Sequence, residues 1–367
     1  MIFQKIKLLN FKNFQELSID LSSGFHFVTG KNGAGKTNFL DAVYYFCMLR
    51  SFRKTKDIEL VNHQENYFRT ETIISDLNSN HTLSIKFKPG ILKEVIWDEL
   101  KDDRLSAHLG RIPVVLIAPD EIYQFIHESE ERRKFINQTL IQIDSAYFDN
   151  LNTYSRLLKQ RNAAIKLMKK QGKMDSSLLD AYDTQLAGPG IAIANKRAEL
   201  IVKLKPVLNE YSLRISGKDE QLDLKYKTNV EHNYLEALYK SRELDFYTGG
   251  TNLGIHKDKL ECMMNKRSLV QVGSQGQIKT FVLAMKLAQF DFLRKQSQKM
   301  PVVLLDDIFA KLDAERVQKL LLLLESEKIE QCFITDTHTE RVKELAKTMS
   351  AKTAYYEIIH NQFYRHA

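Results

Sequence analysis

The sequence contains 367 residues, of which 43% are apolar, 10% aromatic and 27% charged. This composition is typical of a globular protein, and it excludes collagen-like, low-complexity and wholly disordered chains. Lysine and arginine number 54 against 46 acidic residues, so the formal net charge of +8 is compatible with a polyanionic partner but does not require one.

The three cysteines, Cys47, Cys262 and Cys332, are widely spaced and odd in number, which argues against a disulfide framework or a structural zinc site. The first residues contain no signal-peptide block, and no apolar run approaches the ~20 residues that span a bilayer. We therefore expect a soluble, cytoplasmic protein.

The N-terminal part of the sequence predicts short strands, because apolar and polar residues alternate up to residue 30. The last of these strands, at 25–29, leads directly into a glycine-rich loop, after which the apolar spacing becomes helical. Further strands are predicted at 68–74, 81–87, 95–97 and 114–117.

From about Ser129 the apolar spacing is helical, with a loop predicted at 172–177. A second interruption is predicted at Gly188-Pro189-Gly190, because proline has no backbone amide to donate. A strand at 222–226, a helix at 234–244 and alternation at 260–272 follow.

The closing third predicts helices at 277–294, 314–324 and 340–349 that alternate with strands at 302–305, 331–335 and 355–359. An α/β sheet is therefore split by a mainly helical insertion. We expect a head built from 1–117 and 250–367, an inserted helical lobe at 118–249, and no long coiled coil.

Residues 30–37 match the phosphate-loop pattern G-x-x-x-x-G-K-[ST] between a predicted strand and a predicted helix. Its backbone amides can surround a β-phosphate, Lys36 can reach the β and γ phosphates, and Thr37 can ligate Mg²⁺. ATP and Mg²⁺ are thus the expected ligands, and the candidate nucleotide-binding residues of the loop are Gly30, Lys31, Asn32, Gly33, Ala34, Gly35, Lys36, Thr37 and Asn38.

Two carboxylates, Asp306 and Asp307, follow the apolar run at 302–305. In a doubly wound sheet this strand end lies beside the phosphate loop. Asp306 is expected to hold Mg²⁺ together with Thr37, and Asp307 to orient or deprotonate the attacking water. Taken alone, such a pair is equally compatible with a helix N-cap.

A second phosphate-binding turn is predicted at Ser274, Gly276 and Gln277, directly before a helix. Ser274 is expected to cap the helix, and Gly276 allows an anion to approach the first amides. Because the chain has one obvious ATP loop, we expect this turn to contact ATP bound on a second copy, giving an ATP-dependent homodimer. A plain helix cap is the alternative.

Together, 30–37, 274–277, 306–307 and 310–313 resemble the Walker A, signature, Walker B and D-loop motifs of SMC-like ABC ATPases. Within that branch the chain resembles the RecF family, through further stretches that follow in the family's order at 10–14, 50–53, 132–135, 160–162 and 251–258. The resemblance implies an ABC-type P-loop ATPase head.

The same resemblance implies ATP-driven dimerisation on duplex DNA near single-strand gaps, in recombinational repair and replication restart. It also implies that the protein assists RecA loading together with RecO and RecR, and that it has a weak, DNA-stimulated ATPase activity. His338 stands where many ABC ATPases have a switch histidine, so the expected catalytic residues are Lys36, Asp307 and His338. A solvated loop histidine is the alternative for His338.

Five departures from the family pattern occur, apart from Asp307. Asp307 stands where transporters carry glutamate, and its shorter reach predicts slow hydrolysis. Ala310 replaces a serine and removes the D-loop hydroxyl. The others are Lys12 and Lys257 for arginine, Ile255 for proline, and Ile278-Lys279 for Gln-Arg.

The segment 151–174 contains no acidic residue and seven basic ones, which favours sequence-independent contact with DNA phosphates. The candidates for this contact are Arg132, Arg133, Arg161, Lys166, Lys169 and Lys170. Arg132 and Arg133 could equally bond lobe to lobe, and Arg53 and His256 are expected at a nucleotide-dependent interface or lobe contact.

Other P-loop proteins remain alternatives at this stage. A transporter nucleotide-binding subunit shares the ATP motifs but is expected to carry a Leu-Ser-Gly-Gly-Gln signature, which is absent from the sequence. A P-loop kinase or GTPase would leave the turn at 274–277 without a role.

Overall fold

The computed structural model describes residues 1–76, 79–310 and 312–366. These form two compact units, one of Met1–Tyr123, Tyr211–Lys218 and Lys279–Ala367 and the other of Gln124–Glu210 and Asp219–Ile278. The bounds of the units differ from the predicted lobes 1–117 with 250–367 and 118–249, and the division into ATPase head and inserted lobe stays a prediction.

The helices of eight residues or more are α1 Lys36–Met48, α3 Pro119–His127, α4 Ser129–Leu140, α5 Ser145–Gln171, α6 Ser176–Ser216, α7 Tyr234–Thr248, α9 Gln275–Ser297, α10 Ala314–Ser326 and α11 Thr339–Ala346, with short helices α2 Leu105–His108 and α8 Leu269–Val272 between them. The strands are β1 Ile2–Phe11, β2 Phe14–Asp20, β3 Gly24–Thr29, β4 Phe68–Ser75, β5 Asn80–Phe87, β6 Glu94–Trp97, β7 Leu100–Lys101, β8 Val114–Ile117, β9 Leu222–Lys227, β10 Lys259–Met264, β11 Arg267–Ser268, β12 Val302–Leu305, β13 Gln331–Asp336, β14 Thr353–Ile359 and β15 Gln362–His366.

The first unit contains a sheet of order β15-β14-β3-β13-β12-β8, in which every pair except β14–β15 is parallel. The strands β8, β12 and β13 are buried along their whole length, as expected for parallel strands covered on both faces. Because β3, β12 and β13 run in the same direction, their carboxyl ends share one edge of the sheet.

An antiparallel sheet of order β2-β1-β4-β5-β6-β7 completes the first unit. Helix α1 packs against both sheets, through Phe3 of β1 with Phe46 at 5.9 Å between ring centroids and through Phe333 of β13 with Phe39 at 5.9 Å. Eleven of the 13 residues of α1 are buried, so the helix that follows the glycine-rich loop is held from two sides.

The second unit contains α4, α5, α7, most of α6, and a small sheet of order β11-β10-β9. The predicted interruption at Gly188-Pro189-Gly190 is wrong, because α6 runs through Pro189 and Pro206. Buried Leu186 and Ile193 on either side of Pro189 favour a continuous helix over the loss of one backbone hydrogen bond.

Gly190 also has a packing role in this helix. A Cβ at this position would lie 2.8 Å from the ring of Tyr234 and 3.3 Å from the ring of Tyr154. Glycine therefore allows α6 to approach these two buried tyrosines, and the residue is a contact point rather than a break.

Most other predicted elements are confirmed within a few residues, but two details differ. The alternation predicted at 260–272 ends at β11, and its last four residues form α8. Strand β15 was not predicted. The three cysteines are free and buried. Among the described residues, no helix combines the length and apolar character needed to cross a membrane.

Candidate nucleotide-binding site

The glycine-rich loop joins β3 to α1 and depends on left-handed glycines. The φ angles of Gly30, Gly33 and Gly35 are 147°, 80° and 111°. At Gly35 an added Cβ would also lie 2.6 Å from Nδ2 of Asn13 and 3.1 Å from the ring of Phe14. The loop thus has the strand–loop–helix geometry that the phosphate-loop pattern requires.

Lys36, at the start of α1, folds back over this loop. Its Nζ donates hydrogen bonds to the carbonyl oxygens of Gly30 at 2.7 Å and Lys31 at 3.0 Å. Burial lowers the pKa of the Lys36 ammonium, while Asp307, Asp336 and Asp306 act in the opposite direction. The Lys36 ammonium group therefore lies between the phosphate loop and the carboxylates at the sheet edge.

Asp306, directly after β12, is brought to Thr37 as predicted. Its Oδ1 accepts hydrogen bonds from Thr37 Oγ1 at 3.0 Å and from Thr335 Oγ1 at 2.8 Å. Burial raises the pKa of the Asp306 carboxyl, and the two hydroxyl donors oppose this shift. A carboxylate beside a threonine hydroxyl is a hard oxygen donor set that fits Mg²⁺.

Asp307 adopts a left-handed backbone with φ of 44°, and its amide donates to Thr335 Oγ1 at 2.9 Å. Burial, followed by the nearby Asp336, raises the pKa of the Asp307 carboxyl, whereas Lys36 and Arg341 lower it. The carboxyl thus lies in a partly desolvated position near Lys36.

The end of β13 contributes Thr335 and Asp336, which were not among the predicted site residues. Asp336 is completely buried and accepts from Arg341 Nη2 at 2.6 Å and from the amides of Thr337 and His338 at 2.5 and 3.2 Å. Thr335 ends the strand predicted at 331–335 and Asp336 follows it, so the position of β13 between β3 and β12 was the missing information.

His338 lies beyond this buried cluster, with 70% of its side chain exposed. Its Nδ1 is 2.8 Å from Thr337 Oγ1. The expected role of His338 as a γ-phosphate sensor stays a prediction.

Three asparagines line one flank of the phosphate loop. Asn38 Nδ2 donates to Asn13 Oδ1 at 2.6 Å, and Asn13 Nδ2 donates to Asn361 Oδ1 at 2.5 Å. The stretch at 10–14 and the β14–β15 turn are therefore both connected to the start of α1, next to Gly35.

Ser274 caps α9, as predicted. Its amide donates to Gln277 Oε1 at 2.8 Å, and the Gln277 amide donates to Ser274 Oγ at 3.3 Å, which is a reciprocal capping box. Gln277 Nε2 also donates to Glu220 at 3.1 Å. The turn is exposed, and its predicted contact with ATP on a second copy stays a prediction.

The D-loop stretch is described in part, since Lys311 lies outside the described residues. The effect of Ala310 is likewise untested, because nothing of its side chain is described. Asp313 at the end of this stretch caps α10 by accepting from the Arg316 amide at 3.0 Å.

The prediction that Arg161 contacts DNA is wrong. Its guanidinium group is completely buried in the second unit, where it donates to Asp183 and Asp245 at 2.7 Å each and to Thr251 at 2.7 Å. A buried arginine with two carboxylate partners belongs to the interior of its unit and cannot contact DNA phosphates.

The other basic candidates divide into two groups. Arg132 and Arg133 donate within their own unit, to the carbonyl oxygens of Phe125, Ile126 and Asp258. Lys166, Lys169 and Lys170 on α5 are exposed.

His256 is held inside the second unit by Thr251 O at 3.0 Å and Tyr154 Oη at 3.3 Å, and Arg53 in the first unit is exposed.

Comparisons with known proteins show the family of the chain. Residues 2–359 match the model of the RecF/RecN/SMC N terminal domain. The DNA replication and repair protein RecF of Cytophaga hutchinsonii is 36% identical over 342 residues, which cover 93% of this chain and 90% of the relative. The chain belongs to the RecF family. RecF of Porphyromonas gingivalis W83 is 33% identical over 368 residues, with full coverage of both chains.

Solved structures extend the RecF assignment to the fold. The recombination mediator protein RecF of the RecFOR pathway, determined with ATP, matches with a TM-score of 0.87 at 26% identity, covering 100% of this chain and 97% of that one. An Smc head bound to the C-winged helix domain of ScpA, 16% identical with a TM-score of 0.56, supports the fold alone. The chain has the SMC-like ABC ATPase fold of RecF, a family of ATP-binding DNA replication and repair proteins.

Proposed function

We propose that the chain is an ATP-dependent DNA-binding protein of recombinational repair and replication restart. ATP is proposed to drive its dimerisation on duplex DNA near single-strand gaps, where it assists RecA loading with RecO and RecR in the cytoplasm. The observation that carries this proposal is the convergence of Lys36, Thr37, Asp306 and Asp307 at one sheet edge. Membership of the RecF family supports it.

The phosphate-loop amides and Lys36 are proposed to bind the phosphates of ATP. Lys36 would exchange its bonds to the Gly30 and Lys31 carbonyls for phosphate oxygens, which suit an ammonium group better. Thr37 and Asp306 would hold Mg²⁺. Bound there, the cation neutralises charge on the phosphate oxygens.

Asp307 is proposed to orient the attacking water and accept its proton. The raised pKa of its carboxyl suits a general base better than that of an exposed aspartate, although the side chain is one methylene shorter than glutamate. We therefore expect slow hydrolysis. His338, near the same sheet edge, is proposed to contact the γ-phosphate.

Ser274, Gly276 and Gln277 of one copy are proposed to contact the γ-phosphate of ATP bound to the other. The turn is exposed and precedes α9, a helix of 23 residues whose N-terminal amides favour an anion. A nucleotide held by two copies stabilises the dimer through its additional contacts.

DNA binding is proposed to use the exposed lysines of α5, Lys166, Lys169 and Lys170. Phosphate contacts of this kind are independent of sequence and weaken as salt rises. Stimulation of ATP hydrolysis by DNA is part of the same proposal.

The dimer is tested with an Asp307→Asn variant, which should bind ATP and Mg²⁺ but not hydrolyse ATP. Light scattering after size exclusion is expected to give a dimer with ATP and a monomer without it. Adding Lys36→Ala should abolish the dimer by preventing ATP binding, whereas adding Ser274→Arg should abolish it while ATP binding persists. A monomer of Asp307→Asn in saturating ATP would contradict the proposed dimerisation.

The DNA preference is tested by measuring the affinity of the same Asp307→Asn variant for gapped duplex, blunt duplex and single-stranded DNA. With ATP, gapped duplex is expected to bind most tightly, and omission of ATP should remove the preference. Equal affinity for all three DNAs would contradict a role at gaps.

A further inference from the structure

The hydroxyl group of Thr335 links the two acidic residues at the end of β12. Its Oγ1 donates to Oδ1 of Asp306 at 2.8 Å and accepts from the amide of Asp307 at 2.9 Å. A hydroxyl group has one proton, so the contact to the carboxylate uses the proton and the contact to the amide uses a lone pair. One side chain therefore restrains a carboxylate and the neighbouring backbone together.

Asp307 depends on such a restraint. A φ of 44° is unfavourable for a residue with a Cβ, and such a conformation persists where the surrounding structure holds it. The Thr335 hydroxyl is the acceptor that the Asp307 amide finds in this conformation. If the hydroxyl were absent, the Asp307 backbone would lose this bond and its carboxyl would lose its fixed direction.

Asp306 is restrained from two sides. Thr37, at the start of α1, and Thr335, near the end of β13, both donate to its Oδ1. Thr335 has no exposed surface, so it has no route to contact a bound nucleotide directly. Any effect of the Thr335 hydroxyl on the reaction therefore acts through Asp306 and Asp307, its two hydrogen-bond partners.

We propose that Thr335 is a positioning residue for ATP hydrolysis, which orients the Asp306 carboxylate and the Asp307 backbone through a single hydroxyl group. This inference rests on the nucleotide site proposed above. It assigns a function to the strand between β3 and β12, in addition to the phosphate loop and the two acids.

The test compares Thr335→Val, which keeps the branched shape but removes the hydroxyl, with Thr335→Ser, which keeps the hydroxyl. In Thr335→Val we expect kcat to fall about 100-fold because the reacting groups are misplaced, with the Kd for ATP changed less than about threefold. Thr335→Ser should recover most of the lost kcat. Thermal unfolding of both variants reports whether the fold is retained.

Two results would overturn the proposal: an unchanged kcat in Thr335→Val, or a Thr335→Ser variant as slow as Thr335→Val, since that would assign the effect to packing. If Thr335→Val does not fold, Thr335→Cys replaces it, because a thiol of similar size is a weak hydrogen-bond donor. A wild-type kcat in Thr335→Cys would equally overturn the proposal.

The same assays separate this inference from the proposed function. If the wild-type protein hydrolyses no ATP beyond a Lys36→Ala control, the proposed function fails. If the wild-type protein is active and Thr335→Val is equally active, the inference about Thr335 alone fails.

Discussion

Lys12 Nζ lies 2.5 Å from Oδ2 of Asp41, and the Asp41 side chain is completely buried in α1. Asp41 also accepts hydrogen bonds from Ser51 Oγ at 2.7 Å and from the Phe52 amide at 2.8 Å. One buried carboxylate therefore connects the β1–β2 turn, the helix after the phosphate loop and the stretch at 50–53.

This ion pair predicts the effect of removing its cation. Lys12→Met should destabilise the protein by about 3 kcal/mol, because it leaves the Asp41 carboxylate buried without its charged partner. Lys12→Arg, which keeps the positive charge, should retain most of the stability. Urea unfolding of the two variants measures the difference in their free energies of unfolding. If Lys12→Met and Lys12→Arg were equally stable, the ion pair between Lys12 and Asp41 would contribute nothing to stability.

Charge reversal on α5 predicts a loss of DNA affinity. Changing Lys166, Lys169 and Lys170 together to glutamate should weaken binding of duplex DNA at least tenfold and make its salt dependence shallower, because phosphate contacts are lost. The matched control changes three lysines of the first unit to glutamate, the exposed Lys343 and Lys347 and the half-buried Lys319, which alters the net charge equally. Similar losses in both variants would indicate a general charge effect.

Gly35 predicts a steric effect that Gly33 does not share. An alanine at either position adopts a positive φ, but at Gly33 no atom lies within 4 Å of the added Cβ, whereas at Gly35 Asn13 and Phe14 are in the way. Gly35→Ala should therefore lower the melting temperature more than Gly33→Ala. Asn13→Ala should restore part of the loss in Gly35→Ala, and no recovery would place the conflict at Phe14 or in the backbone.

Two buried histidines predict a loss of stability in mild acid. Burial lowers the pKa of both His26 and His108 from 6.5 to about 4. In the unfolded chain each histidine takes up a proton near pH 6.5, so the stabilisation is complete above that pH and is lost as the pH falls towards 4.

By pH 5 each of these histidines should remove about 2 kcal/mol of stability. Urea unfolding at pH 7.5 and pH 5 measures the total. His108→Gln should reduce the pH dependence, because one of the two titrating groups is gone. An identical pH dependence in the wild-type protein and the variant would refute the assignment to His108.

The phosphate loop was predictable because its information is local. A strand, three glycines and Lys36-Thr37 lie within a few residues of one another, and the chemistry of each is independent of distant segments. The contact of Asp306 with Thr37 was predictable as well, since parallel strand ends meet at one edge. Thr335 was not, because its role depends on the non-local position of β13 next to β12.

The predictions for Pro189 and Arg161 were wrong for different physical reasons. The predicted helix break at Pro189 considered only the local propensity of proline. In the structure, tertiary packing of α6 outweighs the loss of one backbone hydrogen bond. Arg161 was selected by charge, although it lies seven residues after Tyr154 and four before Ile165, on the buried stripe of α5. The helical spacing already indicated an interior arginine, and the buried acids Asp183 and Asp245 explain how the interior accepts it.

The reciprocal cap between Ser274 and Gln277 is formed entirely within one polypeptide. The turn consequently has a defined shape before any second copy arrives, and little conformational entropy is lost when it docks. If the turn does join two copies through ATP, their association should be governed by nucleotide occupancy rather than by coupled folding. A dimer held together in this way can separate quickly once the γ-phosphate of its bound ATP is cleaved.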